Sequence, residues 1–317
     1  MFGLNVKEAI YAWYQKHGRH DLPWRQSNDA YKIYLSEIML QQTQVKTVLE
    51  RFYFPFLERF PTLQSVADAP LDDVLKMWEG LGYYTRARNL HHTAITCEGV
   101  LPTRPEELGG LKGIGKSTAH AICAFAYHQA LPILDANVKR VLCRYFALPS
   151  KDEKVLWEKA WKLLDMKHPF EYNQAMMDIG SLICTPKNPQ CTECPLAFTC
   201  KGKQSPEHYP LPLKKAKVPT KKRFALVVEK EGKIGLIQRQ EKLLHGLWGF
   251  VQMDEQPKGI HLGHVTHTYS HFKLDLEIIQ SEADHIKIDG WFSLDEITTL
   301  ALSTVDKKVI QKVFSSK

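Results

Sequence analysis

Apolar residues recur at three- and four-residue spacing over residues 1 to about 200, a pattern that predicts amphipathic helices. Stretches containing proline and glycine, such as RFPTLQ, ADAPLDD and GVLPTRPEEL, separate one helix from the next. From Arg223 the period changes to two, in RFALVVE, KIGLIQR, HFKLDLEIIQ and DGWFSLDEI, and predicts strands, with a hairpin at Lys230 to Lys233. A last helix is expected near Val305 to Phe314. The predicted fold class is therefore mainly α, followed by a smaller α+β domain.

Between the two patterns lies PLPLKKAKVPTKKR, a segment rich in proline and lysine that is typical of a semi-rigid basic linker. We therefore predict a helical domain over residues 1–212, a linker over residues 213–222 and a strand-rich domain over residues 223–317.

At 317 residues with 44% hydrophobic content, the chain can bury a full core and is long enough for two domains. Its formal charge of +7, from 42 basic and 35 acidic residues, suits a polyanionic partner without identifying one. The N-terminal stretch lacks the apolar core of a secretory signal, and no run is long enough to span a bilayer. Seven cysteines, an odd number, fit a reducing compartment. We expect a cytoplasmic protein with no membrane partner.

Four of the cysteines fall within one short loop, CTPKNPQCTECPLAFTC, at the spacing C-x6-C-x2-C-x5-C. Four thiolates so close in sequence can surround one metal centre, and structural zinc and an iron–sulfur cluster both satisfy that chemistry. The spacing resembles the [4Fe-4S] loop of the endonuclease III and MutY family of DNA glycosylases. The resemblance implies a [4Fe-4S] cluster as cofactor, with four ligands: Cys184, Cys191, Cys194 and Cys200.

The stretch GLKGIGKS, residues 110–117, fits the phosphate-binding loop of nucleotide-binding proteins. That loop requires a buried strand before it, whereas the preceding LPTRPEELGG carries two prolines and acidic residues. The competing interpretation is a helix-hairpin-helix, in which a tight turn precedes a helix from Lys116 whose free N–H groups contact a DNA phosphate. It is similar to the hairpin of the same glycosylase family, with DNA contacts expected at Gly113, Gly115 and Ser117.

Two carboxylates occupy contrasting sequence environments. Glu37, in the helical stretch YLSEIMLQQTQV, has apolar helical neighbours, so its carboxyl group is expected to be partly buried with a raised pKa. Asp135, in LPILDANVKRVLCRYF, is expected to cap a helix, whose N–H donors and dipole would hold the pKa low. Two carboxyl groups whose pKa values are shifted in opposite directions suit cleavage of an N-glycosidic bond, because one protonates the departing base and the other stabilises the cationic sugar.

The stretches LSEIMLQQTQV and LDANVKRV resemble the adenine-specific MutY branch of the family, and the resemblance covers residues 1–212. It implies that Glu37 protonates N7 of adenine and that Asp135 stabilises the cationic sugar before water adds. It further implies that Asn137 assists at the sugar. Ala136 stands where the family commonly has glycine.

Bifunctional members of the family carry a lysine in the hairpin helix that attacks the sugar as an amine. The matching position here is Ser117, and Lys116 is turned about a hundred degrees around the helix. We therefore predict a monofunctional glycosylase that leaves an abasic site. The alternative is a bifunctional glycosylase/lyase similar to endonuclease III.

An enzyme that acts on a base must extrude it and fill the gap. The stretch GLGYYTRARNL, residues 80–90, resembles the family's wedge loop, in which Tyr83 inserts next to the lesion base while Gln42 probes the opposite side. The stretch LPWR resembles the lining of an adenine pocket, although Trp24 equally suits an ordinary core. A core aromatic is also the alternative interpretation of Tyr83. The remaining positions expected to contact DNA or adenine are Arg86, Arg88 and Arg25.

In the strand-rich part, HGLWGFVQ resembles a Nudix hydrolase, but the residues after it lack the acidic box that would bind magnesium. The arrangement is similar to the Nudix-like C-terminal domain that recognises 8-oxoguanine in MutY proteins. In HTYSHF, the residues Tyr269, Ser270 and His271 resemble a Phe-Ser-His motif that contacts the damaged guanine. A zinc site is a competing interpretation of the histidines at 261, 264, 267 and 271.

Together these features predict a helix-hairpin-helix glycosylase domain with a [4Fe-4S] loop, joined to a Nudix-like α+β domain. The expected function is base excision repair, by removal of adenine mispaired with 8-oxoguanine or guanine in double-stranded DNA. We expect a monomer associated with a bacterial nucleoid. A catalytically silent mismatch-binding protein is a rival, disfavoured by the presence of both Glu37 and Asp135.

Overall fold

The computed structural model describes residues 5–211, 217–282 and 286–314. The chain packs into two compact units. The first unit contains residues 5–42 and 99–211, and the second unit contains residues 43–98 and 217–314. Helix-rich sequence thus contributes to both units. The boundaries at residues 212 and 223 stay predictions, and part of the predicted linker, residues 212–216, lies outside the described residues.

Helices and strands are numbered in chain order over the described residues. The helices are α1 (Val6–His17), α2 (Ala30–Leu40), α3 (Val45–Arg51), α4 (Tyr53–Arg59), α5 (Leu63–Ala67), α6 (Leu71–Met77), α7 (Thr85–Thr96), α8 (Pro105–Gly109), α9 (Lys116–Ala126), α10 (Ala136–Phe146), α11 (Glu153–Leu163), α12 (Pro169–Asp178), α13 (Leu294–Thr299) and α14 (Thr304–Phe314). The strands are β1 (Thr220–Val227), β2 (Glu229–Lys230), β3 (Lys233–Gln238), β4 (Trp248–Gly249), β5 (Val251–Met253), β6 (Ile260–Thr268), β7 (Lys273–Gln280) and β8 (Gly290–Phe292). A 3-10 turn at Pro23–Arg25 and a π-helical turn at Ile179–Ile183 also shape the first unit.

The first unit has a core to which α1, α10, α11 and α12 contribute. Ile10, Leu142, Leu156 and Met176, one from each helix, are fully or almost fully buried in it. Burial of such a side chain stabilises a fold by about 1.5–3 kcal/mol relative to exposure. Because Val138 in the first turn of α10 belongs to the same core, the start of α10 is fixed in position.

The second unit combines α3–α7 with the strands and the last two helices. One sheet has the order β5-β1-β7-β6, in which β1 and β7 are parallel and the other pairs antiparallel. A second sheet has the order β2-β3-β4, and β8 also pairs with β3. Alternate residues of β7 face a core shared with β1 and α14, which buries Leu276, Val227 and Val309.

The predicted hairpin and last helix are confirmed, since Lys230 pairs with Lys233 and α14 ends at Phe314. The prediction of a strand throughout DGWFSLDEI was partly wrong. β8 ends at Phe292, and Ser293 then begins α13 through reciprocal hydrogen bonds with Glu296. This capping box satisfies the first N–H groups of the helix and overrides the local alternation. Among the described residues, no helix combines the length and apolar character needed to cross a membrane.

Candidate active site and lesion-recognition surface

Glu37 lies on α2, whose first turn is capped by the side chain of Asp29. The residue as a whole is half-buried, but protein atoms enclose its carboxyl group. The resulting desolvation, together with the negative charge of Asp135, raises the pKa of Glu37 to about 7, and the charge of Arg25 opposes this shift only in part. The predicted direction is confirmed, so Glu37 keeps its proton to near neutral pH.

Asp135 caps α10 as predicted, since its carboxylate oxygen Oδ1 accepts a hydrogen bond from the backbone N–H of Val138 at 2.7 Å. The predicted low pKa was wrong. Burial raises the pKa of Asp135, and the N–H groups of Val138 and Asn137 and the charge of Arg140 offset that burial only in part. Its negative charge in turn favours the protonated form of Glu37, so the two carboxyls act as an interacting pair.

Asn137, next to Asp135, is held from two sides. Its side-chain oxygen accepts a hydrogen bond from Arg140 Nη2 at 2.9 Å, and the same guanidinium donates to the Gly180 carbonyl at 2.6 Å. A Cβ atom at Gly180 would lie 2.7 Å from the Asn137 Cβ, which is closer than real Cβ contacts come. The first turn of α10 therefore packs directly on the π-helical turn.

Asp178, at the end of α12, is a buried acid that sequence reasoning missed. Its carboxylate accepts hydrogen bonds from the guanidinium groups of Arg19, at 2.5 and 2.8 Å, and Arg25, at 2.7 and 2.8 Å. Burial works to raise the pKa of Asp178, but these two cations hold it below its ordinary value. Arg25 is thereby fixed next to the buried Trp24, close enough to Glu37 to act on its pKa. The available signal was a lone acid in the apolar stretch AMMDIG.

The helix-hairpin-helix interpretation of residues 110–117 is supported locally, because α8 rather than a strand precedes the turn. Gly113 has φ +80°, a left-handed conformation that favours glycine, and Gly115 is the N-cap of α9. Ser117 Oγ accepts a hydrogen bond from the Leu134 N–H at 3.0 Å, just before Asp135. The ammonium of Lys116 lies 4.3 Å from the centre of the Trp157 ring.

The four clustered cysteines line one small cavity in the first unit, together with Arg144. Among the described residues, no three histidine, cysteine, aspartate or glutamate side chains are arranged like ligands of a single ion. The four thiols line one cavity, and four thiolates are the number that a [4Fe-4S] cluster takes, one per iron. Arg144 donates to the Cys184 sulfur at 3.3 Å and to the Thr185 carbonyl at 2.7 Å, so a cation supports the negative charge of the thiolates.

The predicted wedge-loop stretch, residues 80–90, belongs to the second unit, and the name wedge loop is used below for its first four residues, 80–83. Tyr83 has φ +50° and is 46% exposed, and Gln42 of the first unit is also exposed, with φ +58°. Such backbone conformations cost energy in residues other than glycine and are concentrated at functional sites. The surrounding structure therefore holds the backbone of Tyr83 in this unfavourable conformation, in which the ring is exposed.

Arg86 and Arg88, which were predicted to contact DNA, both bind backbone carbonyls in this structure. Arg86 is buried, and its guanidinium donates to the carbonyls of Leu81 (3.3 Å) and Gly82 (3.0 Å). Arg88 is half-buried and donates to the His245 carbonyl at 2.7 Å. Both guanidinium groups therefore donate hydrogen bonds to backbone carbonyls of the protein itself, which need donors in a loop.

The predicted recognition loop, residues 269–271, and the wedge loop line the same cavity within the second unit. Tyr83 and the recognition loop line one cavity of about 290 Å³, together with Arg88 and residues 242–244 and 303–305. Tyr269 stacks on Phe272 at 4.7 Å between ring centres, and burial raises the pKa of Tyr269 to about 12. Ser270 and His271 are exposed at the loop's tip.

Two of the histidines considered for zinc, His261 and His267, have other contacts. His261 Nε2 lies 2.6 Å from a carboxylate oxygen of Glu277 across the strand pair, and the His267 ring meets Tyr269 edge-on at 4.6 Å. Within the described ranges, these histidines form no group arranged to hold a metal ion.

Comparisons with known proteins agree with this architecture. Residues 35–166 match the HhH-GPD superfamily base excision DNA repair protein, residues 184–200 the iron–sulfur binding domain of endonuclease III, and residues 223–312 the NUDIX domain. The adenine DNA glycosylase of Buchnera aphidicola subsp. Baizongia pistaciae (strain Bp) is 36% identical over 347 aligned positions, which cover 99% of this chain and 98% of that protein. The chain belongs to the adenine DNA glycosylase family.

Other relatives of this adenine DNA glycosylase family member extend the comparison. The adenine DNA glycosylase of Homo sapiens is 31% identical over 399 aligned positions, which cover 96% of this chain and 73% of that protein. Among solved structures, a thermostable thymine-DNA glycosylase superposes with a TM-score of 0.58 and 27% identity, over 62% of this chain and 94% of that chain. The predicted fold class is confirmed, and the protein is a DNA glycosylase.

The match to the iron–sulfur domain also decides between the two metal chemistries left open by the cysteine spacing. The family's cofactor is a [4Fe-4S] cluster, as predicted, and zinc is not needed to explain the loop. The assignment of Cys184, Cys191, Cys194 and Cys200 as the individual ligands stays a prediction that their shared cavity supports.

Proposed function

We propose that this adenine DNA glycosylase family member excises adenine mispaired with 8-oxoguanine or guanine and leaves an abasic site. The observation that carries the proposal is a pair of interacting carboxyls, in which Glu37 has a pKa of about 7 beside Asp135. A protonated acid and a nearby anion are what release of a neutral base from a deoxyribose requires. We further propose that the enzyme acts as a monomer on DNA of the bacterial nucleoid.

In the proposed chemistry, Glu37 donates its proton to N7 of adenine as the N-glycosidic bond breaks. The bonding electrons leave with the base, and the sugar becomes an oxocarbenium ion. Asp135 stabilises this cation electrostatically, Asn137 assists at the sugar, and water adds to the anomeric carbon. The capping hydrogen bond to Asp135 and the bond from Arg140 to Asn137 support these roles, because both side chains are already oriented.

The adenine would enter a pocket formed by Trp24 and Arg25. The ion pair with Asp178 supports this proposal, because it holds the Arg25 guanidinium in one place before the base arrives. The duplex would be gripped through a phosphate by the N–H groups around Gly113, Gly115 and Ser117, contacts that position DNA without reading its sequence. Tyr83 would fill the gap left by the extruded adenine, and Gln42 would probe the opposite strand.

Recognition of 8-oxoguanine is assigned to Tyr269, Ser270 and His271. Their position on one cavity with Tyr83 supports the proposal, because the wedge and the recognition loop could then contact neighbouring parts of one lesion. In this arrangement Tyr269 anchors the loop by stacking on Phe272, while the exposed Ser270 and His271 supply hydrogen-bonding groups.

Absence of lyase activity is proposed from the hairpin helix. The position at which bifunctional relatives carry an amine is Ser117, whose hydroxyl is occupied by the Leu134 N–H. The nearest lysine in sequence, Lys116, directs its ammonium to the Trp157 ring, where a cation–π contact holds it. When bound, the [4Fe-4S] cluster would hold the loop of residues 184–200 in shape rather than take part in base release.

The test is a single-turnover assay on duplexes with adenine opposite 8-oxoguanine, guanine or thymine, each divided into halves with and without alkali. We expect breaks only after alkali, fastest opposite 8-oxoguanine and absent opposite thymine. Breaks without alkali would reassign the protein to the bifunctional glycosylase/lyase class. Binding without any base loss would favour the silent mismatch-binding protein.

A further inference from the structure

The two residues that flank the wedge loop both bind Leu302, more than two hundred positions later in the chain. The Glu79 carboxylate accepts a hydrogen bond from the Leu302 N–H at 3.0 Å. The Tyr84 hydroxyl donates to the Leu302 carbonyl at 3.3 Å. We call this contact of Glu79, Tyr84 and Leu302 the Leu302 junction. It ties both ends of the wedge loop to the strand-rich part of the same unit.

Two lysines next to the Leu302 junction compensate the charge of Glu79. Its side chain is only 9% exposed, and the carboxylate forms ion pairs with the ammonium groups of Lys307 at 2.6 Å and Lys76 at 3.1 Å. Lys76 also donates to the carbonyls of Thr298 at 2.6 Å and Leu300 at 2.9 Å. A nearly buried carboxylate needs such partners, because desolvation would otherwise disfavour its charge. The contact is therefore a built network rather than an exposed ion pair.

The junction contacts the wedge loop and adjoins the cavity that the recognition loop lines. The Tyr84 hydroxyl accepts a hydrogen bond from the N–H of Gly80, the first residue of the wedge loop, at 3.3 Å. On the other side, the residues that follow Leu302 begin α14 and line the cavity shared by Tyr83 and the recognition loop. A shift of Leu302 would therefore change the wedge loop and one wall of that cavity together.

We propose that Glu79 and Tyr84 are specificity-determining positioning residues, which hold the wedge loop against the recognition loop so that contact with 8-oxoguanine orients Tyr83. This inference rests on the proposed function and extends it. Base release itself belongs to Glu37 and Asp135. Loss of the junction should thus weaken the preference for 8-oxoguanine and spare the slower reaction opposite guanine.

The sharpest variant is Tyr84→Phe, which removes one hydroxyl and keeps the ring that fills the same space. We expect the ratio of single-turnover rates, adenine opposite 8-oxoguanine over adenine opposite guanine, to fall about three- to tenfold, as for loss of one or two hydrogen bonds. The rate opposite guanine should stay within about twofold of wild type, since the chemical groups are untouched. Glu79→Gln should act in the same direction.

A matched control is Asp73→Asn. Asp73 lies on α6, shortly before Glu79, and forms an exposed ion pair with Arg59 at 2.9 Å. It tests for a general effect of removing a carboxylate from this helix. We expect its rate ratio to equal that of wild type.

A second measurement reports on Tyr83 rather than on turnover. A duplex that contains 2′-fluoro-2′-deoxyadenosine resists cleavage, because the fluorine destabilises the oxocarbenium ion, and 2-aminopurine beside the 8-oxoguanine reports on local stacking. We expect the fluorescence change on binding to shrink in Tyr84→Phe and to persist in Asp73→Asn.

The outcomes separate this inference from the proposed function. If wild type shows no preference for 8-oxoguanine, the proposed recognition fails and the inference fails with it. If wild type has the preference, but Tyr84→Phe and Glu79→Gln leave both the ratio and the fluorescence unchanged, only the inference is overturned. An equal loss of rate opposite 8-oxoguanine and guanine would also overturn it, because the junction would then be structural alone.

Discussion

The chemistry of base release and the reading of the lesion are assigned to regions built in opposite ways. In the first unit, charged groups at the proposed active site are withdrawn from water, as in Asp178, which is fully buried and paired with Arg19 and Arg25. In the second unit the groups expected to meet DNA are exposed, as in Tyr83 and Ser270. Acid catalysis near neutral pH needs a raised pKa, to which desolvation contributes most at Glu37, whereas recognition needs accessible groups on a rigid support.

The rigid support lies directly beneath the exposed groups. Arg86 holds the carbonyls of the wedge loop beneath Tyr83, and the stacking of Tyr269 on Phe272 holds the recognition loop beneath Ser270. The comparison therefore predicts different consequences of substitution. Changes in the first unit should alter rate or stability, and changes at the tips of the second unit should alter selectivity.

Replacement of Glu37, in the first unit, should have the largest effect on the rate of excision. Glu37→Gln keeps the shape of the side chain but cannot donate the proton, so the single-turnover rate opposite 8-oxoguanine should fall about 10²–10⁴-fold. Binding to the mispair should persist, because recognition is assigned to the second unit in our proposal. Rapid-quench kinetics and a fluorescence binding titration measure the two properties. Glu158→Gln, an exposed change on α11, is the control, and wild-type excision by Glu37→Gln would disprove the assignment.

Removal of the buried acid should test the same region through stability. Asp178→Asn leaves the Arg25 guanidinium buried without its full counter-charge, and we expect a loss of about 3–5 kcal/mol in the free energy of unfolding. Urea denaturation measures it. The exposed pair of Asp73 with Arg59 supplies the contrast, since Asp73→Asn should cost about 0–1 kcal/mol. Equal losses in the two variants would contradict the importance of burial.

The pH dependence of excision should sharpen the role of Glu37. Because desolvation raises its pKa to about 7, the reactive protonated form is depleted above that pH. The single-turnover rate should therefore fall about tenfold per pH unit on the alkaline side. A profile that stays flat to pH 9 would exclude Glu37 as the titrating acid.

The same titration has a consequence for folding. Folded protein binds this proton more tightly than unfolded protein, so the contribution of Glu37 to stability is present at low pH and lost as pH rises through about 7. Glu37→Gln should therefore gain about 1–3 kcal/mol relative to wild type between pH 5 and pH 8. Urea denaturation at the two pH values measures this difference, and a pH-independent difference would argue against the raised pKa.

The smallest effect is expected at the recognition loop. Ser270→Ala removes a hydrogen-bonding group at the tip, so the preference for 8-oxoguanine over guanine should fall about three- to tenfold while the rate opposite guanine persists. Competition kinetics on the two duplexes measures the preference. Thr266→Ala, an exposed change on β6, should leave the preference unchanged. An unaltered preference in Ser270→Ala would move recognition away from this loop.

Features set by nearby residues could be predicted from the sequence. The cap at Asp135 depends on the polar residue that precedes an apolar helical pattern, and the hairpin at Lys230–Lys233 depends on a short turn between alternating stretches. In contrast, the start of α13 at Ser293 was predicted as a continuing strand, because the alternation of apolar and polar residues does not reveal the capping box that Ser293 forms with Glu296.

Features set by contacts distant in sequence could not be predicted. Asp178 meets Arg25 across 153 positions, and no local pattern announces that pairing. The raised pKa of Asp135 results from burial by the surrounding fold, which outweighs the capping effect that the sequence does reveal. The hydrogen bonds of Arg86 and Arg88 to backbone carbonyls were likewise not visible in the sequence, because positive charge beside aromatic residues does not show the direction of each side chain.

The close approach of Gly180 to Asn137 makes position 180 intolerant of change for reasons of volume alone. An added Cβ would meet the Cβ of Asn137 at 2.7 Å and its backbone carbon at 3.1 Å, so even alanine displaces the turn that begins next to Asp135. Glycine contributes no functional group there. A genetic screen that scores only loss of repair would nevertheless place missense changes at codon 180 beside those at the proposed catalytic acid.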